Sequence, residues 1–242
     1  MPLDSEDLKV LEGVFDEFTY RTLEKLRRNR YFDHIYSVIS PGKEAYVFIG
    51  SSFDEFVAIK IYRIKTLNFN KILQYIIGDP RFGKIKRTKI GIVCEWAKKE
   101  FRNLMLTWEL GIRVPKPIAH YNNVLIMEFI GKDGTPAPNI KRKPPKKENI
   151  YKWANTLFNW IRIMWNKGNF VHGDINEWNI LNLDEEPVLI DLSMGVLREH
   201  PLAEQMLERD VENLIKFFSK YGIELSKKDI LEKIKLNKKI TL

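Results

Sequence analysis

The sequence predicts an α+β fold in two parts, an antiparallel sheet first and a truncated, mostly helical part after it. From Ile35 the pattern changes to that of strands, with three short runs separated by turn residues over 35–62, and 115–130 repeat a strand-turn-strand pattern. From residue 149 onward, apolar residues recur at helical spacing instead. The stretch 132–148 is rich in proline and lysine and indicates a connection. We therefore expect N-terminal helices in 1–34, a sheet lobe in 35–131, a hinge or linker in 132–148 and a helical lobe in 149–242.

The composition bounds the class of protein before any motif is considered. Hydrophobic residues make up 44% of the 242 and charged residues 30%, as in ordinary globular proteins. The single cysteine, Cys94, excludes an internal disulfide framework and fits a reducing compartment. Neither a secretory signal nor an apolar run of about 18 residues is present, so we expect a cytoplasmic protein with no membrane span.

The net charge of +8 favours a polyanionic partner, either a nucleotide or a nucleic acid. Positive charge gathers in the stretches 81–89, 141–147 and 227–239. A lysine-rich surface is also common in proteins from hot environments, so charge alone leaves both explanations open.

The first predicted turn of the sheet contains groups that can approach phosphates. Ser40 and Lys43 contribute a hydroxyl and an ammonium group there, and Gly42 leaves the backbone accessible. The turn lacks the Gly-x-Gly-x-x-Gly pattern of a nucleotide-covering loop, so it is weak evidence by itself. The strands that we predict around it span 35–40, 45–49 and 56–62, after helical pieces within 5–31.

Lys60 interrupts the apolar third strand, at the end of Val57-Ala58-Ile59-Lys60. Such a lysine must either be paired or reach solvent from an edge strand. The helix predicted over 95–110 offers Glu100 as its partner, although a glutamate among basic neighbours is equally consistent with a solvated charge. A helix over 66–77 and a mobile basic loop over 81–89 are predicted between them.

The strongest chemical signal is His172-Gly173-Asp174, followed by Asn179 and then Asp191 at the end of a predicted strand. Asp174 can take a proton from an attacking hydroxyl, and Asn179 and Asp191 offer hard oxygen ligands to magnesium on a nucleotide's phosphates. The alternative is a solvated loop with incidental carboxylates, which this motif alone does not exclude.

The order of these parts resembles a bilobal protein-kinase-like fold. More narrowly, the chain resembles the RIO family of atypical serine/threonine protein kinases over essentially its whole length. No room for a winged helix precedes the lobes, so it looks like the branch without that domain, as found in archaea. The resemblance is carried by residues 40–45, 78–82, 96–104, 172–174 and 190–191.

The resemblance implies a nucleotide site. Lys60 would hold the phosphates of ATP and pair with Glu100. Met127 would guard the purine pocket, next to backbone that contacts the adenine. The implied nucleotide-binding residues are Ser40, Lys43, Lys60, Glu100, Met127, Glu128 and Ile130.

The resemblance also implies a chemistry. Asp174 would be the catalytic residue, and Asn179 and Asp191 would bind Mg²⁺, or Mn²⁺ in its place. The family has been proposed to act as an ATPase switch through an aspartyl phosphate, here at Asp191, and Thr88 is by position the candidate for self-phosphorylation. We therefore expect an ATP-dependent kinase and ATPase that acts in small ribosomal subunit maturation, with the pre-ribosomal particle and its RNA as partners.

Departures from ordinary kinases and two alternatives complete the sequence-based picture. Leu192-Ser193 follows Asp191 in place of Phe-Gly, and no Ala-Pro-Glu follows, so we expect the peptide-binding platform to be absent. Pro41 stands where the family usually has threonine, which would stiffen the turn.

The alternatives are a small-molecule phosphotransferase of the aminoglycoside or choline kinase type and a nucleotide-binding RNA scaffold without turnover. The first needs an acidic pocket, whereas basic residues dominate from Lys216 onward. The sequence predicts no oligomeric state.

Overall fold

The computed structural model describes residues 15–65, 69–82 and 88–242 and confirms the predicted combination of an antiparallel sheet with a mostly helical part. The predicted helical residues before 15 and residues 83–87 of the basic loop lie outside those ranges. Within them, none of the helices has the length and hydrophobicity that crossing a bilayer requires. Two compact units divide the chain. The first comprises residues up to Ile76, Phe82–Arg102 and Lys116–Pro136, and the second comprises Ile77–Arg81, Asn103–Pro115 and Ala137–Leu242.

The first unit is built on a five-stranded antiparallel sheet. Its elements are α1 Glu17–Arg28, β1 His34–Pro41, β2 Ala45–Ser52, β3 Glu55–Tyr62, α2 Phe69–Ile76, α3 Lys89–Glu109, β4 Pro117–Tyr121, β5 Val124–Glu128, β6 Gly131–Lys132 and β7 Thr135–Pro136. The strand order is β1-β2-β3-β5-β4, so β3 lies at the centre of the sheet. The residues of α3 from Asn103 onward are counted with the second unit.

The two faces of β3 have different surroundings. Val57, Ile59 and Ile61 belong to the hydrophobic core that also contains Leu23 and Leu26 of α1. Because successive side chains of a strand point to opposite faces, Lys60 lies on the face away from that core. The central position of β3 excludes the explanation in which Lys60 reaches solvent from an edge strand.

Helix α3 begins earlier than the sequence predicted. The predicted start was residue 95, but the helix begins at Lys89, so the predicted basic loop is shorter at its C-terminal end. Thr88 explains the start, since its hydroxyl accepts a hydrogen bond from the Gly91 N–H at 3.1 Å and its carbonyl accepts one from the Ile92 N–H at 3.0 Å. A threonine oxygen in this position satisfies a backbone donor that the first turn leaves without a helical partner.

The second unit is mostly helical, as predicted. Its elements are a 3-10 helix Lys147–Asn149, α4 Ile150–Lys167, β8 Phe170–Val171, β9 Ile180–Leu183, β10 Glu186–Leu189, β11 Val196–Leu197, α5 Ala203–Ser219 and α6 Lys227–Lys235. Three aromatic side chains of α4, Trp153, Phe158 and Trp165, are buried in the core of this unit. The ring of Phe158 lies 6.2 Å from that of Phe218 in α5, centroid to centroid.

Residues 138–143 follow β9 closely. The Ile140 N–H donates to the Ile180 carbonyl at 2.9 Å, and the Asn182 N–H donates to the Pro138 carbonyl at 2.8 Å. Ile140 is buried. This part of the predicted linker is therefore fixed against the second unit, while the domain boundaries that we expect from the sequence stay a prediction.

Candidate active site

In the first unit, Lys60 and Glu100 form a buried ion pair. The Lys60 Nζ lies 2.9 Å from the Glu100 Oε1, and the two residues are 6% and 1% exposed. The hydroxyl of Tyr62 donates to the other oxygen of Glu100. A buried charge must be paired and hydrogen-bonded to persist. The predicted contact is thus present, and burial excludes the solvated alternative for Glu100.

The predicted purine-side residue lies on the same face of the sheet as Lys60. Met127 is the register partner of Ala58, and Leu125 is the register partner of Lys60. Residues directly opposite each other in adjacent strands share a face. Because Ala58 lies two residues before Lys60 in β3, Met127 shares the face of the sheet that Lys60 occupies, away from the hydrophobic core.

The strand-end backbone after Met127 has one donor already engaged. The Glu128 N–H donates to the Lys116 carbonyl at 2.8 Å, and the Glu128 Oε2 accepts from the Lys116 N–H at 3.0 Å. The Glu128 N–H is therefore engaged within the sheet and is not the group that would contact adenine. Ile130, the second predicted contact, is buried.

The predicted phosphate-side turn joins β1 to β2. Ser40 and Lys43 are both exposed, and the Lys43 carbonyl accepts from the Arg63 guanidinium at 3.5 Å. A Cβ added at Gly42 would lie 2.7 Å from the Ala45 carbonyl oxygen, a clash with backbone. The turn therefore needs glycine at this position, which keeps its backbone approachable.

In the second unit, the catalytic loop brings Asp174 and Asn179 into direct contact. The Asn179 Nδ2 donates to the Asp174 carbonyl at 2.9 Å and to its Oδ2 at 2.7 Å. The Asn176 Nδ2 donates to the Asp174 Oδ1 at 3.1 Å. Burial raises the pKa of Asp174 above its ordinary value, and the negative charge of Asp191 raises it further, against the hydrogen bond from Asn179. A carboxyl with a raised pKa holds a proton more readily than an ordinary aspartate, as a group that receives one from a hydroxyl must.

Asp191 lies next to Asn179 because β9 and β10 form a hairpin. Ile180 and Leu189 are its last register pair, and the Ile190 N–H donates to the Asn179 carbonyl at 3.0 Å. Asp191 has a φ of +58°, a left-handed conformation that few side chains adopt and that aspartate tolerates. The Ser193 hydroxyl donates to its Oδ1 at 2.7 Å. The solvated-loop alternative is therefore not supported.

The donor set of this cluster fits a magnesium ion. Because the Asn179 nitrogen donates to two oxygens of Asp174, the amide is oriented and its oxygen is the atom available to a cation. Within the described ranges, no three His, Cys, Asp or Glu side chains form a metal site. Magnesium suits such a sparse site, since it is commonly held by one or two protein oxygens together with water and substrate phosphates.

Sequence reasoning missed Asp210, a buried residue of α5 that fixes the catalytic loop. Its Oδ2 accepts the Gly173 N–H at 2.7 Å and its Oδ1 accepts the Ile175 N–H at 2.9 Å, on either side of Asp174. Arg209 donates to the Gly173 carbonyl, and the Asn213 Nδ2 donates to the Ile175 carbonyl at 2.9 Å. Asp210 therefore positions Asp174 without being a member of the predicted site.

A signal for Asp210 was present in the sequence. It occupies a helical position between the buried Leu207 and Leu214, where an apolar residue is expected. An acid on the apolar face of a helix must be hydrogen-bonded. Its partners could not be inferred, because they lie more than 30 residues away in the chain.

A second missed residue, Asn103, supports the segment after Asp191. Its Nδ2 donates to the carbonyls of Leu192 at 2.7 Å and Gly195 at 3.0 Å. Its Oδ1 accepts from Arg81 at 2.8 Å, and Arg81 is in turn held by the buried carboxylate of Asp79 at 2.6 Å. The Gly-Asp-Pro-Arg motif thus has a structural role, which is to brace the backbone after Asp191 through Asn103.

The sequence of the chain is similar to that of a known protein family. The model of the RIO domain family matches residues 34–231. The RIO-type serine/threonine-protein kinase Rio1 of Methanocaldococcus jannaschii is 38% identical over 229 residues, which cover 95% of this chain and 78% of the relative. Rio1 of Haloferax volcanii is 38% identical over 222 residues, covering 91% and 76%.

Solved structures agree on the fold. The crystal structure of the Rio2 kinase-ADP/Mg2+-phosphoaspartate complex from Chaetomium thermophilum has a TM-score of 0.68 to this chain, at 21% sequence identity. The match covers 94% of this chain and 74% of that one. At such low identity the likeness establishes the kinase-like fold alone.

Proposed function

The chain belongs to the RIO family of atypical serine/threonine protein kinases, and we propose that it is an ATP- and magnesium-dependent switch with kinase and ATPase activity in small ribosomal subunit maturation. The observation that carries the chemistry is the contact of Asp174 with Asn179, next to Asp191 at the end of one hairpin. The relatives are named serine/threonine kinases, which supports the class of reaction.

On this proposal, the first unit binds the nucleotide. Lys60 neutralises phosphate charge, and Glu100, which accepts a hydrogen bond from the Tyr62 hydroxyl, holds the Lys60 ammonium group in place. Met127 lines the purine pocket, and backbone at 128–130 contacts the adenine edge. Ser40 and Lys43 add a hydroxyl and a charge from the exposed turn.

The second unit supplies the reactive groups. Asn179 and Asp191 would hold Mg²⁺, which neutralises charge on the transferred phosphate. In self-phosphorylation, Asp174 receives the proton of the attacking hydroxyl as its oxygen bonds to the γ-phosphorus and ADP leaves. Thr88 is the proposed acceptor, since its side chain is exposed at the start of α3.

In the ATPase cycle, an Asp191 carboxylate oxygen bonds to the γ-phosphorus of ATP, and ADP departs. Water then attacks the aspartyl phosphate, which restores the carboxylate and releases inorganic phosphate. The Chaetomium thermophilum Rio2 complex is described as containing a phosphoaspartate, which supports this step by similarity of fold. The hydrogen bond from the Ser193 hydroxyl keeps one carboxylate oxygen of Asp191 oriented while the other oxygen reacts.

The chemistry is tested by incubating the protein with magnesium and γ-labelled ATP. The variants compared are Asp191→Asn, Asp174→Asn and Asp184→Asn. Asp184 is a matched control, because it is exposed in the turn of the same hairpin and also has a positive φ, +49°. We expect the first two variants to lose label on the protein and release of phosphate, and the control to keep both. Protein-bound label that hydroxylamine removes would support the aspartyl phosphate.

Two results would contradict the proposal. Unchanged turnover in Asp191→Asn would remove that residue from the metal and phosphoryl roles. ATP binding with neither transfer nor hydrolysis in the wild-type protein would favour the non-turnover RNA scaffold instead. The ribosomal part is tested separately, by cosedimentation with small-subunit particles in the presence of ATP analogue or ADP; identical binding in both states would contradict a switch.

A further inference from the structure

Trp178 is a large aromatic side chain that the catalytic loop presents to solvent. The residue is 54% exposed, and its backbone N–H donates to the Asn176 Oδ1 at 2.9 Å, which fixes the backbone at this position. Single exposed hydrophobic residues are normal in soluble proteins, and Trp108 is similarly exposed at 44%. Trp178 is accompanied by a set of cations.

Two lysines are held by Glu177, the residue that precedes Trp178. The Glu177 carboxylate lies 2.6 Å from the Lys141 Nζ and 3.0 Å from the Lys220 Nζ. The pKa of Glu177 is lowered, chiefly by the hydrogen bond from Lys141. The Lys141 ammonium also lies 5.9 Å from the centre of the Trp178 ring, within reach of a cation-π contact.

A tight turn adds two further cations. The Lys141 N–H donates to the Glu177 carbonyl at 3.1 Å, which ties the turn to the catalytic loop. Both Arg142 and Lys143 donate their N–H groups to the Asn139 carbonyl, and both are exposed. We call the residues Trp178, Lys141, Arg142, Lys143 and Lys220 the Trp178 surface.

We propose that the Trp178 surface binds single-stranded RNA, with a base stacked on the indole ring and the phosphates contacted by the flanking cations. This inference rests on the proposed function for its ribosomal context. A flat exposed aromatic ring beside several cations is the arrangement that binds single strands without sequence preference. An acidic peptide would use the cations but leave the ring unoccupied, and a duplex would not expose a base face for stacking.

The position of the Trp178 surface gives it a consequence for the site. Trp178 immediately precedes Asn179 in the chain, and Glu177 links the turn to the same loop. RNA bound at Trp178 would therefore act on the loop that contains Asn179, one of the two proposed metal ligands. We expect RNA to change the rate of ATP hydrolysis in the wild-type protein.

Anisotropy of a labelled, unstructured 12-nucleotide RNA measures the binding, at several salt concentrations. Trp178→Ala should weaken binding about tenfold with an unchanged salt slope, because a stacked base is lost but no phosphate contact. Changing Lys141, Arg142 and Lys143 together to alanine should flatten the slope of log K against log salt by about 2. Trp108→Ala is the matched aromatic control. The charge control changes three exposed lysines of the same unit, Lys228, Lys238 and Lys239, to alanine.

The outcomes separate this inference from the proposed function. The inference would be overturned if the Trp108 and Lys228/Lys238/Lys239 control variants weakened RNA binding as much as the Trp178-surface variants do. It would also be overturned if the wild-type protein bound the RNA no more tightly than an acidic peptide. If the wild-type protein showed no ATP turnover but bound RNA in a Trp178-dependent way, the proposed function would be overturned and the inference about the Trp178 surface would remain. Thermal unfolding of each variant identifies any loss that is due to misfolding; in that case Trp178→Phe, which keeps a stacking ring, should restore binding.

Discussion

Asp210→Asn tests how the catalytic loop is held in place. Asparagine keeps the side-chain size and one acceptor oxygen, but the nitrogen that replaces the second oxygen cannot accept an N–H. One of the bonds from Gly173 and Ile175 is therefore lost next to Asp174. At pH 8, above the raised pKa of Asp210, its carboxylate is ionised. A buried hydrogen bond to a charged group contributes about 1.5–3 kcal/mol, so we expect phosphoryl transfer at that pH to fall by about tenfold or more.

The same variant isolates the titration of Asp210. Burial raises the pKa of this carboxyl from 3.8 to about 7, although the N–H groups of Ile175 and Gly173 oppose the shift. Between those values the folded chain keeps a proton that the unfolded chain releases. The stability that Asp210 contributes is therefore complete below its unfolded pKa and is lost as pH rises through 7. The loss between pH 5 and pH 8 is about 3 kcal/mol.

Denaturant titrations of the wild-type protein and Asp210→Asn at pH 5, 6, 7 and 8 give the free energy of unfolding that is needed. Other titrating groups are common to both proteins, so the wild-type minus variant difference reports Asp210. We expect that difference to shrink with pH and to level off above about pH 8. A difference independent of pH would refute the raised pKa. That flat profile is the one expected if the backbone N–H groups keep Asp210 ionised, because its folded and unfolded pKa values would then both lie below pH 5.

Two further predictions concern the first unit and the start of α3. Lys60→Met should abolish ATP use and lower stability by about 3–5 kcal/mol, because Glu100 is left buried without its cation. Adding Glu100→Leu should recover most of that stability, seen by denaturant titration, but not the activity; an active double variant would make the pair purely structural. Thr88→Ala should remove self-phosphorylation and lower stability by about 1 kcal/mol through loss of the helix cap. Thr88→Asp should keep the cap but not the label, and label that persists in it, located by mass spectrometry, would identify another acceptor.

Local pattern was sufficient for the elements that carry the chemistry. The run of β-branched and apolar residues around Lys60 placed it in a strand, and the spacing from Asp174 to Asn179 fits a loop that closes on itself. The hairpin that brings Asp191 to Asn179 is formed by residues close in sequence, so its apolar strands and turn predicted it. The resemblance to RIO kinases rests on the same contiguous motifs, and the family match confirms it.

Tertiary structure decided the features that join distant residues. The strand order of the sheet is one of them, because it is not encoded in the period of any single strand. The start of α3 at Lys89 is by contrast a local feature, a cap by Thr88 that propensity did not reveal. Asp210 contacts backbone 35 residues away or more, and Asn103 contacts carbonyls about 90 residues away. Periodicity identifies a side chain that must be buried, but only the folded chain shows which N–H or carbonyl groups are buried with it. A buried polar group is stable only with such partners, and that requirement selects Asp210 and Asn103 as supports of the site.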